Sequence, residues 1–458
     1  MAKRATTSKG VRRVVTLATL VGSAGVVALS TAAPAAADCT VADGDSYCTG
    51  YADETSTFDG FASDGGYVYL DADEYSHAAG TASGDSSDAY SYADEDSTAS
   101  STAFSGGYAD ADADDNSTAT AYASDDDSNA YADADDSSSA AATAIGDDAY
   151  ANADAEYAST TVAEAVGEES YADAYAYGAS SATATTEGED SYAEAYAYSD
   201  SLAVAHSRGE DAGSYTDAEN DSAAAATSLG KDAYAEAIAY DFSSATANAA
   251  GEDAYAYAEA DESSVANANA IGGSGFSGYA EAEAQAYNDA VATANAIGYN
   301  ADAYADASGD YPWWWFLGGA ISLVEEVSST TTATANALGD YANAWADAFV
   351  GGTASATAIG DESTAEATAS IDGVATALAF GASEAEALAW EGGQAIAQTY
   401  FGGYAYAAAG EGEVVRSMVF LQGEAIANGE TNFCSGYSLI FRNGTATCVF
   451  GNGSTILN

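Results

Sequence analysis

Carboxylates recur in this chain at a spacing suited to gathering cations. Asp148, Glu169, Asp190, Asp211, Asp232 and Asp253 each fall 21 residues after the last. The residue before them is also acidic at Asp147, Glu168, Glu189, Glu210 and Glu252, with Lys231 the exception. Like charges stacked about 5 Å apart repel. Such a row either bends into solvent or collects hard cations on its oxygens. Low-affinity calcium binding is the chemistry this row offers, against a plain solvated acidic edge. No other cofactor is expected.

Aromatic residues follow the same beat. Tyr150, Tyr171, Tyr192, Tyr234 and Tyr255 stand two residues after the acids, and Gly213 interrupts them. Stacked copies would form an aromatic ladder between neighbouring coils, or a surface for sugars and a partner's side chains. A second aromatic cluster breaks the pattern at 311–317, Tyr-Pro-Trp-Trp-Trp-Phe-Leu. Three adjacent tryptophans on one strand cannot all point inward. Trp313, Trp314, Trp315 and Phe316 are therefore expected to form a contact patch for a protein or glycan, unless a wider coil packs them locally. Trp345 and Trp390 extend that patch.

Nucleophilic and acid–base chemistry finds little footing. Acidic pairs are everywhere, so none is singled out by context. His77 and His206, the only histidines, lie in repeat-like text, and no catalytic residue is assigned. Of the four cysteines, Cys39 and Cys48 lie near one end and Cys434 and Cys448 near the other. A long rod keeps its ends apart, which favours two local disulfides, 39–48 and 434–448, each stapling a cap. A cysteine metal site is the alternative, but CxxC spacing is missing.

The elements that must position these residues follow from a glycine period. Gly146, Gly167, Gly188, Gly209, Gly230, Gly251 and Gly272 are 21 apart, and the beat resumes from Gly339 to Gly444. A fixed period of this size signals one unit stacked on copies of itself. Within a unit the alternation has period two. Ala233, Ala235, Ala237 and Ala239 interleave with Tyr234, Glu236 and Ile238, as in strands rather than helices. The expected fold is an all-β solenoid, a parallel β-helix-like rod of about 18 coils with 21 residues per coil, an alanine core and disulfide-stapled caps. Disorder, suggested by the biased composition, is the competing reading. The step from Gly272 to Gly298 is 26 residues, read as a bulge near 273–277. The 41-residue step from Gly298 to Gly339 is read as two coils rather than one coil with an insertion.

Residues 1–37 read as a bacterial secretory signal peptide: a basic start, an apolar Val14–Leu29 and an A-x-A site before Asp38. Residues 38–62 form an N-terminal cap, 63–423 the solenoid and 424–458 a C-terminal cap. No further apolar run is long enough to span a bilayer. The formal net charge is −63, and Arg208, Lys231, Arg416 and Arg442 are the only cations beyond the leader. That balance excludes nucleic acid as an electrostatic partner.

Outward positions of the second strand carry small polar residues: Thr143, Thr183, Thr185, Thr246, Asn248, Asn267 and Asn269. Here the chain loosely resembles short-coil, alanine-rich β-solenoid proteins. Insect antifreeze and bacterial ice-nucleation proteins display Thr ladders, the latter with a Tyr row, and trimeric adhesin heads use text such as Asn-Ala-Ile-Gly (269–272 here). The resemblance is of repeat style and implies either adhesion or ice binding. Val162, Glu164, Val204 and His206 break the threonine row, and the glycine-rich nonapeptide of calcium-binding rolls is missing. The resulting expectation is a secreted, non-enzymatic structural or adhesive rod of the cell surface or extracellular matrix, partnered by a protein or glycan surface or by itself. Ice binding through the Thr/Asn face and weak calcium binding are the alternatives.

Overall fold

The computed structural model describes residues 27–450 apart from the stretch 309–330 and short turn segments, with side chains described between Tyr47 and Val419. Strand follows strand without a helix among the described residues. Alternate strands build two separate sheets, and each coil contributes one strand to each, until the last strand, Thr445–Phe450, joins the same sheet as Leu439–Arg442 before it. Tyr171–Tyr177 pairs in parallel with Asp190–Tyr198 in one sheet, and Ser181–Glu187 with Leu202–Gly209 in the other. Most partners are 21 residues apart, so like residues stack on like. The result is a parallel β-solenoid of about 15–17 coils.

The 41-residue step from Gly298 to Gly339 supplies one coil fewer than expected. Val291–Ile297 pairs directly with Thr332–Leu338, and Asn300–Ser308 with Asn343–Ala348. Gly298 N–H donates to Leu338 O at 3.0 Å. The 41-residue step is therefore one coil carrying an insertion at 309–330, not two coils. The bulge expected at 273–277 lies, apart from Gly273, outside the described residues. Gly273 and Tyr279 both donate their N–H to Glu252 O, at 3.4 and 3.0 Å, so the chain returns to its starting point.

Period-two alternation sends every second side chain inward, and Ala233, Ala235, Ala237 and Ala239 are buried. The expectation of a nearly pure alanine interior nevertheless needs correction. Serine and threonine line the interior at the corners and within strands, among them Ser138, Thr161, Ser180, Thr186, Ser201, Ser214 and Thr216. Backbone at a corner lacks a regular ladder partner, and a hydroxyl supplies what a methyl cannot. From Ser76 to Ser264, ten serines form an unbroken row. The N–H of each of the first nine donates to the Oγ of the serine one coil on, at 3.0–3.2 Å. Further along the rod this corner passes to Thr331 and then to Gly352, Gly373 and Gly393, and at these three glycines a Cβ would meet atoms of the coil below at 2.4–2.8 Å.

Of the cysteines expected to staple the caps, Cys39, Cys434 and Cys448 have side chains outside the described residues, and Cys48 is a fully buried member of the first coils' packing. The ends are finished by packing and pairing. Phe58 fills the space above Gly50, and Val68 and Leu70 fill that left by Gly60 and Gly80. At the other end Thr445–Phe450 pairs antiparallel with Gly423–Asn428 and with Leu439–Arg442, so the parallel stack stops at a reversed strand.

Candidate functional site

Two kinds of corner present the acidic residues. At the glycine corner the backbones of successive coils almost touch. A Cβ on Gly167, Gly188 or Gly209 would lie 1.5–1.7 Å from the preceding glycine's carbonyl oxygen. Glycine is required there by close approach, which explains the period. The acids that follow it, Asp148, Glu169, Asp190, Asp211, Asp232 and Asp253, all project into solvent. Asp190 stands in register with Asp211, and Asp232 with Asp253. A hydrogen bond to Asp148 raises the Glu169 carboxyl above its ordinary value. Lys231 interrupts the row by pairing with Glu210 at 3.1 Å.

The opposite corner gathers carboxylates more closely. Asp114, Asp115 and Asp136 bring three oxygens within 4.8 Å of one another. Two consecutive left-handed residues build each turn here, Asp115 and Asn116 (φ 44° and 64°), then Asp136 and Ser137 (44° and 71°). Asp and Asn tolerate that region because their side chains bond locally. Asp114 Oδ1 accepts the Asp115 N–H at 2.8 Å, and Asp135 Oδ1 accepts that of Asp136 at 2.8 Å. Three carboxylates could chelate a divalent cation, and hard oxygen donors suit calcium. The repeat Asp114-Asp-Asn and Asp135-Asp-Ser, 21 residues apart, was the available signal in the sequence.

The outer face of the sheet containing Tyr171–Tyr177 carries the tyrosines. Tyr150, Tyr171 and Tyr192 stack at 5.6 Å centroid separations and 6° and 19° interplanar angles. Tyr234 and Tyr255 stack at 5.3 Å and 5°. At the interruption, the Tyr192 ring lies over Gly213, where a Cβ would meet its Cδ2 at 2.4 Å. The row also runs toward the N-terminus through Tyr131, Tyr108, Tyr90, Tyr67 and Tyr47, stepping diagonally between two outward positions. A strict 21-residue search misses that zigzag.

Carboxylates sit between the rings. Tyr150 Oη donates to Asp173 Oδ2 at 2.9 Å, Tyr196 to Glu194 at 2.9 Å and Tyr257 to Glu259 at 2.7 Å. Burial, then the neighbouring carboxylates, pushes Asp112 and Asp154 up to about 6; these two flank Asp133 in register. Burial likewise raises Asp173, Asp217 and Asp306 to about 6. Farther along, Glu281, Glu283, Gln285, Asp302, Tyr304 and Trp345 line an open groove of about 370 Å³. Trp345 Nε1 donates to Glu366 at 3.1 Å, and Trp390 is exposed. Trp313, Trp314, Trp315 and Phe316 lie outside the described residues.

The other sheet looks different from outside. Asn248, Asn269, Asn295 and Asn336 form an amide ladder, each Nδ2 donating to the preceding Oδ1 at 2.8–3.0 Å. Beside it run Thr246, Asn267, Thr293 and Thr334 in register. His206 stands in register with Thr185 and Thr227, and burial lowers its pKa. No helix among the described residues is long and apolar enough to cross a membrane. No protein-family model, curated protein or solved structure matches the chain.

Proposed function

We propose that this chain is a secreted, non-enzymatic structural rod of the bacterial surface or extracellular matrix, acting by presenting repeated contact surfaces. The observation that carries the reading is the coil-to-coil ladder, which sets identical side chains in rows along one axis. Rows suit extended contacts with polymers and surfaces. They do not single out one reacting centre, since each carboxylate environment recurs from coil to coil. Export is proposed from the leader, and maturation would leave Asp38 at the N-terminus. Small-angle scattering tests the rod: about 16 coils at about 4.8 Å per coil give a particle about 75 Å long. A globular or random-coil profile would remove the reading. N-terminal sequencing of protein recovered from the culture medium tests export; finding only full-length protein inside cells would refute it.

Weak calcium binding is a second reading, favoured by the Asp114, Asp115 and Asp136 cluster. Three carboxylates, one already engaged by a backbone N–H, suit a site of about millimolar affinity. Calorimetric titration should show saturable heat that Asp136→Asn diminishes, and no heat would end the idea. Ice binding draws less support, since the asparagine ladder satisfies much of its hydrogen bonding internally.

A further inference from the structure

The two outer faces differ in charge far more than composition suggests. Eight successive strands of the asparagine-bearing sheet, from Ala223–Gly230 to Gln394–Tyr400, contain no Asp, Glu, Lys or Arg. The opposing strands of the same coils carry Asp232, Glu236, Glu259, Glu281, Glu283, Asp302, Asp306, Asp347 and Glu366. One side of this part of the rod is thus acidic and the other uncharged.

The uncharged face also exposes apolar groups in a line. Leu229, Ile271, Ile297, Leu338 and Ile359 occupy one register position and are 41–50% exposed. Only Ala250 comes between them, and Phe380 stacked on Tyr400 continues the line. Leaving such a row in water costs free energy on every coil. The polar centre of the face is already hydrogen-bonded along the asparagine ladder, so covering it strands few donors.

We infer that this face pairs with the same face of a second copy of the chain. The argument for that occupant is electrostatic. A chain of net charge −63 repels its copies on any approach that opposes acidic surfaces, and this face lets two copies meet without facing carboxylates. Its size is sufficient. Eight strands at about 4.8 Å by seven residues at about 3.3 Å give about 890 Å² per copy, close to the ~800 Å² of a standard interface. A contact of one patch with itself closes as a two-fold pair. Toward the N-terminus the same sheet carries Glu164, Glu187 and Arg208, which ends the uncharged zone near residue 223 and limits the register in which copies can overlap. This inference rests on the rod reading and adds its partner.

Sedimentation equilibrium of the full chain tests the pairing. The expected mass rises from 45.8 kDa toward twice that value with concentration, more readily in high salt, where residual repulsion is screened. Ile297→Glu combined with Leu338→Glu should weaken association at least tenfold while leaving the circular dichroism spectrum unchanged. Ile359→Lys, on a different coil, should weaken it independently, and Ile238→Glu on the acidic sheet should not. A wild-type mass that stays monomeric at all concentrations overturns the pairing, as does a folded double variant that still pairs. A monomer that restrains ice growth, and loses that effect in the double variant, would assign the face to ice instead. Scattering separates the failures: an elongated monomer sinks the pairing alone, whereas a coil-like profile sinks the rod as well.

Discussion

Glycine and serine at the two corners hold the coils together by opposite means, one by lacking a side chain and one by using it. A methyl group on Gly209 would sit 1.7 Å from Gly188 O. Gly209→Ala must therefore push two coils apart, and a loss of about 3 kcal/mol is expected, read as a lower thermal midpoint. Ser201 accepts the Ser180 N–H at 3.2 Å and donates to Tyr198 O at 2.7 Å. Ser201→Ala leaves that buried N–H without a partner and should cost about 1–3 kcal/mol by denaturant titration. Thr216 provides the converse case. Its buried hydroxyl has no partner among the described residues, and Ala195 and Ala237 flank it in register. Thr216→Val keeps the shape and removes the polar atom, so stability should rise by about 1 kcal/mol. A fall would mean that the hydroxyl is engaged. The serine row was legible, since Ser138, Ser159, Ser180, Ser201, Ser222, Ser243 and Ser264 are 21 apart. It went unread because serine next to Asp and Asn reads as turn composition. Only stacking turns its hydroxyl inward.

At the scale of the element, the segment 309–330 is the informative case. The strands on either side of it pair with their neighbours as though it were absent. Replacing it with residues 350–351, which stand between the equivalent positions Phe349 and Gly352 one coil later, should preserve the circular dichroism spectrum and leave the thermal midpoint within a few degrees. Loss of the cooperative transition would show that the segment belongs to the stack. Two coils and one coil plus an insertion look alike in sequence, because Ala333, Ala335 and Ala337 resume the same phase in both. Phase identifies a strand, and hydrogen bonding alone identifies its partner. The acidic row and the tyrosine row were readable from spacing because both repeat with the coil. The closer carboxylate cluster was harder to see, because its proximity depends on left-handed turns that fold Asp115 and Asp136 toward each other.

Over the whole molecule, charge sets how the rod responds to its surroundings. Asp112, Asp154, Asp173, Asp217 and Asp306 are raised from an ordinary 3.8 to about 6, foremost by burial. Groups raised by folding bind protons more tightly in the folded state than in the unfolded chain. Stability from this source therefore falls as pH rises from about 4 to 6, and is restored on acidification through the same window. The thermal midpoint should be higher near pH 4.5 than near pH 7.5, and a midpoint that drops on acidification would contradict it. The alternation and the glycine period are local or repetitive features, so the amino-acid order by itself determined a stacked-strand rod and the rows on its surface. Which corner is filled by serine, where a coil carries an insertion, and how fully acid and apolar residues separate onto opposite faces were decided only in three dimensions. Those properties belong to pairs of residues from different coils, and only coil stacking brings such residues to within about 5 Å of each other.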